Sequence, residues 1–382
     1  MEKLRVGVIG VGGMGTGHCE GLTKNVEETV LAAVCDIDPN VAKEKAKTYG
    51  VKAFTSHKKL IKSGLVDAVT IATPHYFHSP IAVAAFEAGL HVLSEKPIAV
   101  TVRAGDEMIA AAKASGLVFG VMFQHRTRPV SQAMKKIVSS GVLGRIYRAM
   151  MVETHFRTQG YYDSATWRAT WKGEGGGVLL NQAPHGIDIF TWLVGLPKKV
   201  KAVTRTWRHR IEVEDEASAL LEWENGAVGY YHTSTNESPS SDILEVCGDN
   251  GKLVYNHGKA SLFLNDPPIQ KFSDDAGIMW GNPKVTEQPI ELIDRPTGHS
   301  AILRNWARAI LYGEELIAPG VEGINSLEFI NAVIFSGATG KEVELPVPRA
   351  AYERWIRAKA RTSTFQKHVV EKRETDPQHV GK

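Results

Sequence analysis

Leu4-Arg-Val-Gly-Val-Ile-Gly10-Val-Gly-Gly-Met-Gly15 is the stretch that decides the fold. A short apolar run ends in Gly10, and Gly10, Gly12 and Gly15 fill the spacing G-x-G-x-x-G. The first glycine permits a tight turn, the second lets backbone approach a pyrophosphate, and the third lets a helix pack close to the strand. The helix that follows offers free N–H groups and a partial positive charge to phosphate oxygens. Gly13 and Met14 lie in the same turn and are expected along the phosphates. Alone, this spacing also describes an ordinary glycine turn. Its context points to a dinucleotide site. A second apolar run, Val30–Cys35, leads into Asp36, about twenty residues beyond the last glycine, where the pattern requires an acid for the ribose. A carboxylate there accepts from ribose hydroxyls and repels a 2'-phosphate, and Ile37 and Asp38 supply no cation to offset that repulsion. The expected cofactor is NAD rather than NADP.

Outward from this turn, Ala68–Ala72, Leu90–Ser94 and Leu117–Met122 repeat the same apolar character on both faces, as strands buried inside a parallel sheet do. Helical segments lie between them. Val41–Tyr49 follows the start signals Asp38 and Pro39, Pro80–Ala88 is stopped by Gly89, and Arg103–Ser115 runs from Thr101 to Gly116. Strand–helix alternation implies a doubly wound parallel α/β sheet with right-handed crossovers, a Rossmann domain over residues 1–124. Past residue 125 the pattern becomes alternating. Ala217, Ala219, Leu221 and Trp223 share one face, Asn225-Gly226 is a hairpin signal, and Ala227–Thr233 returns. Ile243–Cys247 and Lys252–Tyr255 read as further strands.

The length of 382 residues agrees with two domains. With 43% hydrophobic and 23% charged residues, the composition is that of a soluble globular chain. Glycines interrupt the first apolar run, which argues against a signal peptide, and no stretch is long enough for a membrane span. The net charge of +3 comes from scattered basic residues, so nucleic acid is not an expected partner. Cys19, Cys35 and Cys247 fall in no metal-ligand spacing; they read as buried packing residues of a reduced, cytoplasmic protein, and no metal is expected.

Two further segments carry a resemblance. They are Ala72-Thr-Pro-His-Tyr-Phe-His78 with Ala88-Gly-Leu-His-Val-Leu-Ser-Glu-Lys-Pro97, and Gly175-Gly-Gly-Val-Leu-Leu-Asn-Gln-Ala-Pro-His185-Gly-Ile-Asp188. The chain resembles, in order from Leu4 to about Pro346, the glucose-fructose oxidoreductase/inositol dehydrogenase/rhizopine-catabolism (Gfo/Idh/MocA) family. The resemblance implies a Rossmann domain followed by an α+β domain with an open, mainly antiparallel sheet, placed here at 125–365. The polar tail, 366–382, is expected to fray and to carry no function. An open sheet must cover an apolar face, so a homodimer or homotetramer is expected.

Oxidising an alcohol requires a base for the hydroxyl proton and a positive donor for the developing alkoxide. Lys96 lies just past a buried strand, at the carboxyl edge where doubly wound folds bind ligands, and the resemblance assigns it the donor role; otherwise it is a loop lysine. Pro97 rigidifies its turn. His185 is the candidate base, with an ordinary pKa suited to proton exchange near neutrality. Asn181, His185 and Asp188 read as one face of a single helix, with Asp188 either orienting the imidazole or paired elsewhere. Many members of the family carry aspartate where this chain has Asn181, and an amide exchanges no proton at neutral pH, so Asn181 is at most a binding residue.

The segment His155–Trp171 is rich in aromatic and multi-donor side chains suited to sugars. His155, Arg157, Gln159, Tyr161 and Tyr162 are expected near substrate, unless the loop only packs between domains. The resemblance places Trp167 and Arg168 beside the nicotinamide half of the cofactor. Thr73, Pro74, His78, Glu95, Lys96 and Gln124 are expected along the rest of it, and His75 is discounted because the family more often has asparagine there. The Gly175–Gly177 run either permits close backbone approach or is only a turn. The expected activity is oxidation of a ring hydroxyl of a sugar, glycoside or cyclic polyol. The alternatives are an NAD-dependent glycosidase that oxidises transiently and eliminates, and a non-catalytic sugar sensor that binds NAD. Retention of both Lys96 and His185 argues against the sensor.

Overall fold

The computed structural model describes residues 3–365 and Val369; apart from Val369, the tail from Gln366 lies outside the described residues. Six strands form the first sheet: β1 (Leu4–Ile9), β2 (Thr29–Cys35), β3 (Lys52–Phe54), β4 (Ala68–Ile71), β5 (His91–Ser94) and β6 (Phe119–Val121). All pair in parallel, in the order β3-β2-β1-β4-β5-β6. Val6, Val8, Val69, Ile71 and Val92 are fully buried because helices cover both faces. The short edge strand β3 escapes sequence reading: Lys-Ala-Phe is too brief to show a period. Asp38 caps the helix Pro39–Tyr49 by accepting from the Asn40 and Val41 amides, and Thr101 caps Val102–Ser115. The helix His78–Glu87 begins two residues before the expected Pro80, since proline in a first turn lacks only an N–H that has no helical partner anyway.

The second sheet comprises β7 (Ile146–Thr154), β8 (Lys199–Arg205), β9 (Glu216–Glu222), β10 (Val228–Ser234), β11 (Asp242–Gly248), β12 (Gly251–Asn256), β13 (Lys259–Asp266), β14 (Lys284–Gln288) and β15 (Val343–Glu344). Its order is β14-β13-β12-β11-β7-β10-β9-β8-β15, antiparallel throughout except for the parallel pair β7/β10. Ala217, Ala219, Leu221 and Trp223 are buried on one face, against helices Pro184–Val194 and Gly323–Thr339. Val203, Leu220 and Tyr230 stand exposed on the other. The β9/β10 hairpin turns at Asn225-Gly226, as the sequence signal indicates. The Trp223 amide donates to the Ala227 carbonyl at 2.8 Å, the Gly226 amide donates to the Trp223 carbonyl at 3.0 Å, and Gly226 has φ +80°. This is a three-residue loop, a turn closed by a glycine bulge.

The two sheets are tied together. The Val121 amide donates to the Ala318 carbonyl, Asn331 bridges the Val102 amide and the Val100 carbonyl at 3.0 Å each, and Arg308 pairs with Glu28 at 3.0 Å. Cys19, Cys35 and Cys247 are buried free thiols, as their spacing suggested. Among the described residues, no helix is long and apolar enough to cross a membrane.

Candidate active site

The crevice lies outside the carboxyl ends of β1, β4 and β5, where the strand order reverses direction, the place at which doubly wound sheets bind ligands. The helix Gly13–Glu20 starts from Gly12 with no side-chain cap, leaving its first amides for a ligand. A Cβ on Gly12 or Gly13 would meet nothing within 4 Å, whereas one on Gly15 would sit 1.8 Å from the Gly10 carbonyl oxygen. The turn thus keeps open space in front and tight packing behind. Asp36 holds it in place, one carboxylate oxygen accepting from the Val11 amide and the other from the Asp38 amide, at 3.0 Å each. Further along, Thr73 Oγ1, Gln124 Oε1 and His185 Nδ1 are buried without a hydrogen-bond partner among the described residues. Unpartnered buried polar atoms are costly, and a row of them along a crevice marks where a polar ligand belongs. The residues present therefore fit a dinucleotide. Gly15→Ala is expected to weaken NADH binding by at least about tenfold, measured by fluorescence titration, because the new methyl group must push the glycine turn off the helix.

Lys96 follows β5, and its peptide bond to Pro97 is cis. Its ammonium donates to the Asn181 carbonyl at 2.8 Å, which joins the two domains. Burial lowers its pKa, opposed by the charges of Glu95 and Glu174. Glu95 was expected on the cofactor. Instead one of its oxygens meets His18 Nε2 at 2.7 Å and the other accepts from the Lys96 amide at 3.2 Å. Burial alone would raise the Glu95 pKa, but the hydrogen bond and charge of His18 hold it below the usual range. Glu95 and His18 thus support Lys96.

His185 does not sit mid-helix with Asn181. The helix Val178–Asn181 ends, the Ala183 amide reaches back to the Val178 carbonyl, and a second helix starts at Pro184. Proline has no amide to continue the ladder, so the helix restarts one residue before the imidazole. His185 Nε2 lies 3.1 Å from Gln124 Nε2, and the ring stacks on His125 with centroids 4.4 Å apart. Burial, then the charges of Lys96 and His125, push the His185 pKa well below 6.5. Burial and Arg128 drive His125 down to about 3. Asp188 does not orient the imidazole. It binds Arg126 through two contacts, 2.7 and 2.8 Å, both side chains 2% exposed.

Above Lys96, the Tyr161 hydroxyl donates to Asn181 Oδ1 at 2.9 Å, while the Asn181 amide donates to Glu174. Arg168 reaches the Tyr161 hydroxyl at 2.5 Å and lies over the rings of Tyr161 and Trp167. Trp167 meets His75 edge-on. Asn181, Tyr161, Arg157 and Arg168 therefore gather near Lys96. Three expected site residues do not join them. Tyr162 is 1% exposed, with its hydroxyl on Thr235 and its ring on His209, so it packs the loop. Gln159 closes its own turn, donating to Asp163 at 3.0 Å and accepting from the Arg210 amide at 2.9 Å. His78 is wholly buried between the Pro97 and Thr73 carbonyls, 2.8 and 2.7 Å away, and clamps the two turns in place of touching a cofactor. His155 lies 3.2 Å from Glu153.

Sequence reading missed His18, His125, Arg126, Glu174 and Glu214. Glu214 accepts from the Gly177 and Leu179 amides, and its pKa rises to about 7 through burial. A Cβ on Gly177 would lie 1.8 Å from the Glu214 carbonyl oxygen, so this glycine permits a close approach. The adjacency of His125 and Arg126 to Gln124 was the available signal; the partners of Glu174 and Glu214 carry none in sequence.

Known proteins share the two-part organisation of the chain. The profile described as "Oxidoreductase family, NAD-binding Rossmann fold" matches residues 4–123, and the "GFO/IDH/MocA C-terminal domain" matches residues 131–254. The chain is 28% identical to the levoglucosan dehydrogenase of Pseudarthrobacter phenanthrenivorans, over 93% of this chain and 98% of that protein. It is 30% identical to the inositol 2-dehydrogenase 2 of Saccharopolyspora erythraea, over 90% and 96% of the two chains. The WlbA dehydrogenase of Bordetella pertussis, solved in complex with NADH and UDP-GlcNAcA, superimposes with a TM-score of 0.77 at 28% identity, covering 91% of this chain and 100% of that one. With both profiles in sequence order and a nucleotide-ready glycine turn in the first, the chain belongs to the Gfo/Idh/MocA family of NAD-binding oxidoreductases.

Proposed function

We propose that this protein is an NAD-dependent dehydrogenase that oxidises a ring hydroxyl of a sugar, glycoside or cyclic polyol, with His185 as base and Lys96 as the cationic donor. The observation that carries this reading is an ammonium from one domain on the Asn181 carbonyl and an imidazole from the other beside Gln124, near enough for the charge of Lys96 to act on His185. The relatives named for acting on levoglucosan and inositol support the substrate class. Bound NAD supplies the acceptor for the two electrons and the hydrogen lost from carbon. Lys96 hydrogen-bonds the substrate hydroxyl and favours its ionised form. His185, kept neutral by burial, takes the proton. Asn181 and Tyr161 hold neighbouring hydroxyls, and Asp36 selects against a 2'-phosphate. The exposed face carrying Val203, Leu220 and Tyr230 is where a second copy would pack.

The test is a screen for NAD reduction across levoglucosan, inositols, methyl glycosides, free sugars and sugar acids, with His185→Ala beside the wild type. Growth of NADH absorbance with one class, absent in the variant, is the expected result. Glycoside cleavage without net NADH would replace this reading with the transient-oxidation glycosidase, and NAD binding without turnover on any class would leave a sensor.

The pH profile follows from the same groups. A base whose pKa is depressed stays neutral down through pH 6.5, so kcat/KM is expected to show no acid limb at that ordinary histidine value. Lys96, depressed below 10.5, loses its proton early, so the alkaline limb is expected below 10.5. An acid limb centred at 6.5 would show that His185 is solvated in the working enzyme.

A further inference from the structure

We infer that Glu174 is a positioning residue for the proposed oxidation: its carboxylate fixes the direction in which the Asn181 amide hydrogen-bonds and supplies a counter-charge to Lys96. This rests on the role given to Lys96 above. The contacts meet at Asn181. The Lys96 ammonium donates to its main-chain carbonyl at 2.8 Å, and its side-chain amide donates to Glu174. The second Glu174 oxygen accepts from the Ala169 amide at 2.5 Å, and Glu174 is 1% exposed.

A chain of donors and acceptors orients the amide. Arg168 and the Gln182 side-chain amide, 2.5 and 2.9 Å away, both donate to the Tyr161 oxygen. The single hydroxyl proton of Tyr161 therefore turns to Asn181 Oδ1 at 2.9 Å, where Gln182 Nε2 also donates at 3.2 Å. With Oδ1 accepting, the Asn181 nitrogen has to face an acceptor. An ionised carboxylate only accepts, so Glu174 ends the chain in the right sense. A glutamine in its place fails whichever way it turns. It offers one donor and one acceptor, but the two groups it must meet, Asn181 Nδ2 and the Ala169 amide, are both donors. Aspartate at position 181 alone fails in the opposite sense, because two carboxylates that close cannot both ionise. Exchanging the two side chains restores the match. The new glutamine donates to the new aspartate and accepts from the Ala169 amide, and Tyr161 still meets an acceptor.

The exchange also keeps one negative charge near Lys96. Burial weakens the hold of Lys96 on its proton, and the carboxylates of Glu95 and Glu174 oppose that effect, ahead of Arg168 and Arg157. The imidazoles of His75, His78, His125, His185 and His299 also face Lys96. Burial holds all five below 6.5, so they carry no charge in the alkaline range where the lysine titrates.

The experiment reads Lys96 without any substrate. The full-length protein is treated with trace acetic anhydride between about pH 7 and 11, and mass spectrometry follows the rate at which Lys96 is acetylated, which gives its titration midpoint. The pH profile of kcat/KM on the best substrate and the thermal midpoint are measured beside it. Glu174→Gln is expected to lower the Lys96 midpoint by about one pH unit, and the alkaline limb of kcat/KM with it. Asn181→Asp alone is expected to lower the thermal midpoint, since its pair of carboxylates must hold a proton. Glu174→Gln/Asn181→Asp is expected to return the Lys96 midpoint to that of wild type and to melt above Glu174→Gln. A merely structural Glu174 would change the melting temperature and leave the Lys96 midpoint where it is. A Lys96 midpoint unmoved in Glu174→Gln, or one that stays low after the exchange, overturns the inference. If Glu174→Gln does not fold, the exchange decides: a folded double variant upholds the matched pair, and one that also fails to fold overturns it. Midpoints that move as expected in a protein that reduces NAD with no sugar or polyol uphold Glu174 and sink the dehydrogenase reading. Unmoved midpoints in an active dehydrogenase do the reverse.

Discussion

Removing the imidazole of His185 is expected to lower kcat/KM by about 10²- to 10⁴-fold, the usual worth of a positioned general base, while NADH binds unchanged. The reasoning starts from the ring's surroundings. Nε2 faces the Gln124 amide, Nδ1 has no partner among the described residues, and burial keeps the ring neutral. A neutral imidazole in the buried crevice carries the lone pair that a base needs. Lys96→Met is expected to cost at least as much. It deletes the positive donor at the hydroxyl and leaves the Asn181 carbonyl without its charged partner. Because the two groups act on one proton and one oxygen, the double variant is expected to cost little more than the worse single one. Steady-state NAD reduction on the best substrate, with NADH titration as the binding control, measures all three. A His185→Ala enzyme retaining more than half its activity would move the base elsewhere.

The fold was legible because its signals are local. The glycine turn, the doubly apolar strands and the caps at Asp38 and Thr101 each act within a few residues, and the structure places them in a parallel sheet of Rossmann order. The alternation from Ala217 to Trp223 likewise survives into the second sheet, since a pleated strand converts period two directly into faces. Where two local rules competed, sequence reading lost. The i, i+4 spacing of Asn181 and His185 suggested one helix, but Pro184 splits it. The hairpin signal at Asn225-Gly226 had no such competitor and holds.

The site was less legible, because its support comes from residues distant in sequence. Glu95 and His18 are 77 positions apart, and Lys96 and Asn181 are 85 apart. Sequence located Lys96, Asn181 and His185 through motifs, yet gave no means of telling that Glu95 turns to His18, that His78 is clamped between carbonyls, or that Asp188 turns to Arg126. Tyr162 shows the same limit in reverse. Next to Tyr161 in the chain, it points to a small cluster with Ala169, Ile211 and Val213 that only folding brings together.

Arg126 is where site geometry and stability depend on the same contact. Its guanidinium, 2% exposed, holds Asp188 through two hydrogen bonds, also binds Glu322, and stacks on Trp192 at 5.0 Å. Burial raises the Asp188 pKa, so the carboxylate is tolerated in its ionised form only because Arg126 faces it. Arg126→Met fills similar space but leaves that carboxylate buried alone, and is expected to destabilise the protein by about 3–5 kcal/mol. Arg126→Met/Asp188→Leu removes both charges, and most of the loss is expected to return, since an apolar pair of similar volume often matches a buried ion pair in stability. Glu322, being partly exposed, is left to water. Denaturant midpoints of the three proteins test this, and a double variant no more stable than the single one would show that the stacking and hydrogen bonds matter more than the charge. Activity is expected to divide differently. The ion pair ties the helix carrying His185 to the turn carrying Gln124 and His125, which fixes the 3.1 Å contact and the ring stack. An apolar pair restores packing without that angular constraint, so the double variant is expected to fold and bind NADH while kcat remains depressed.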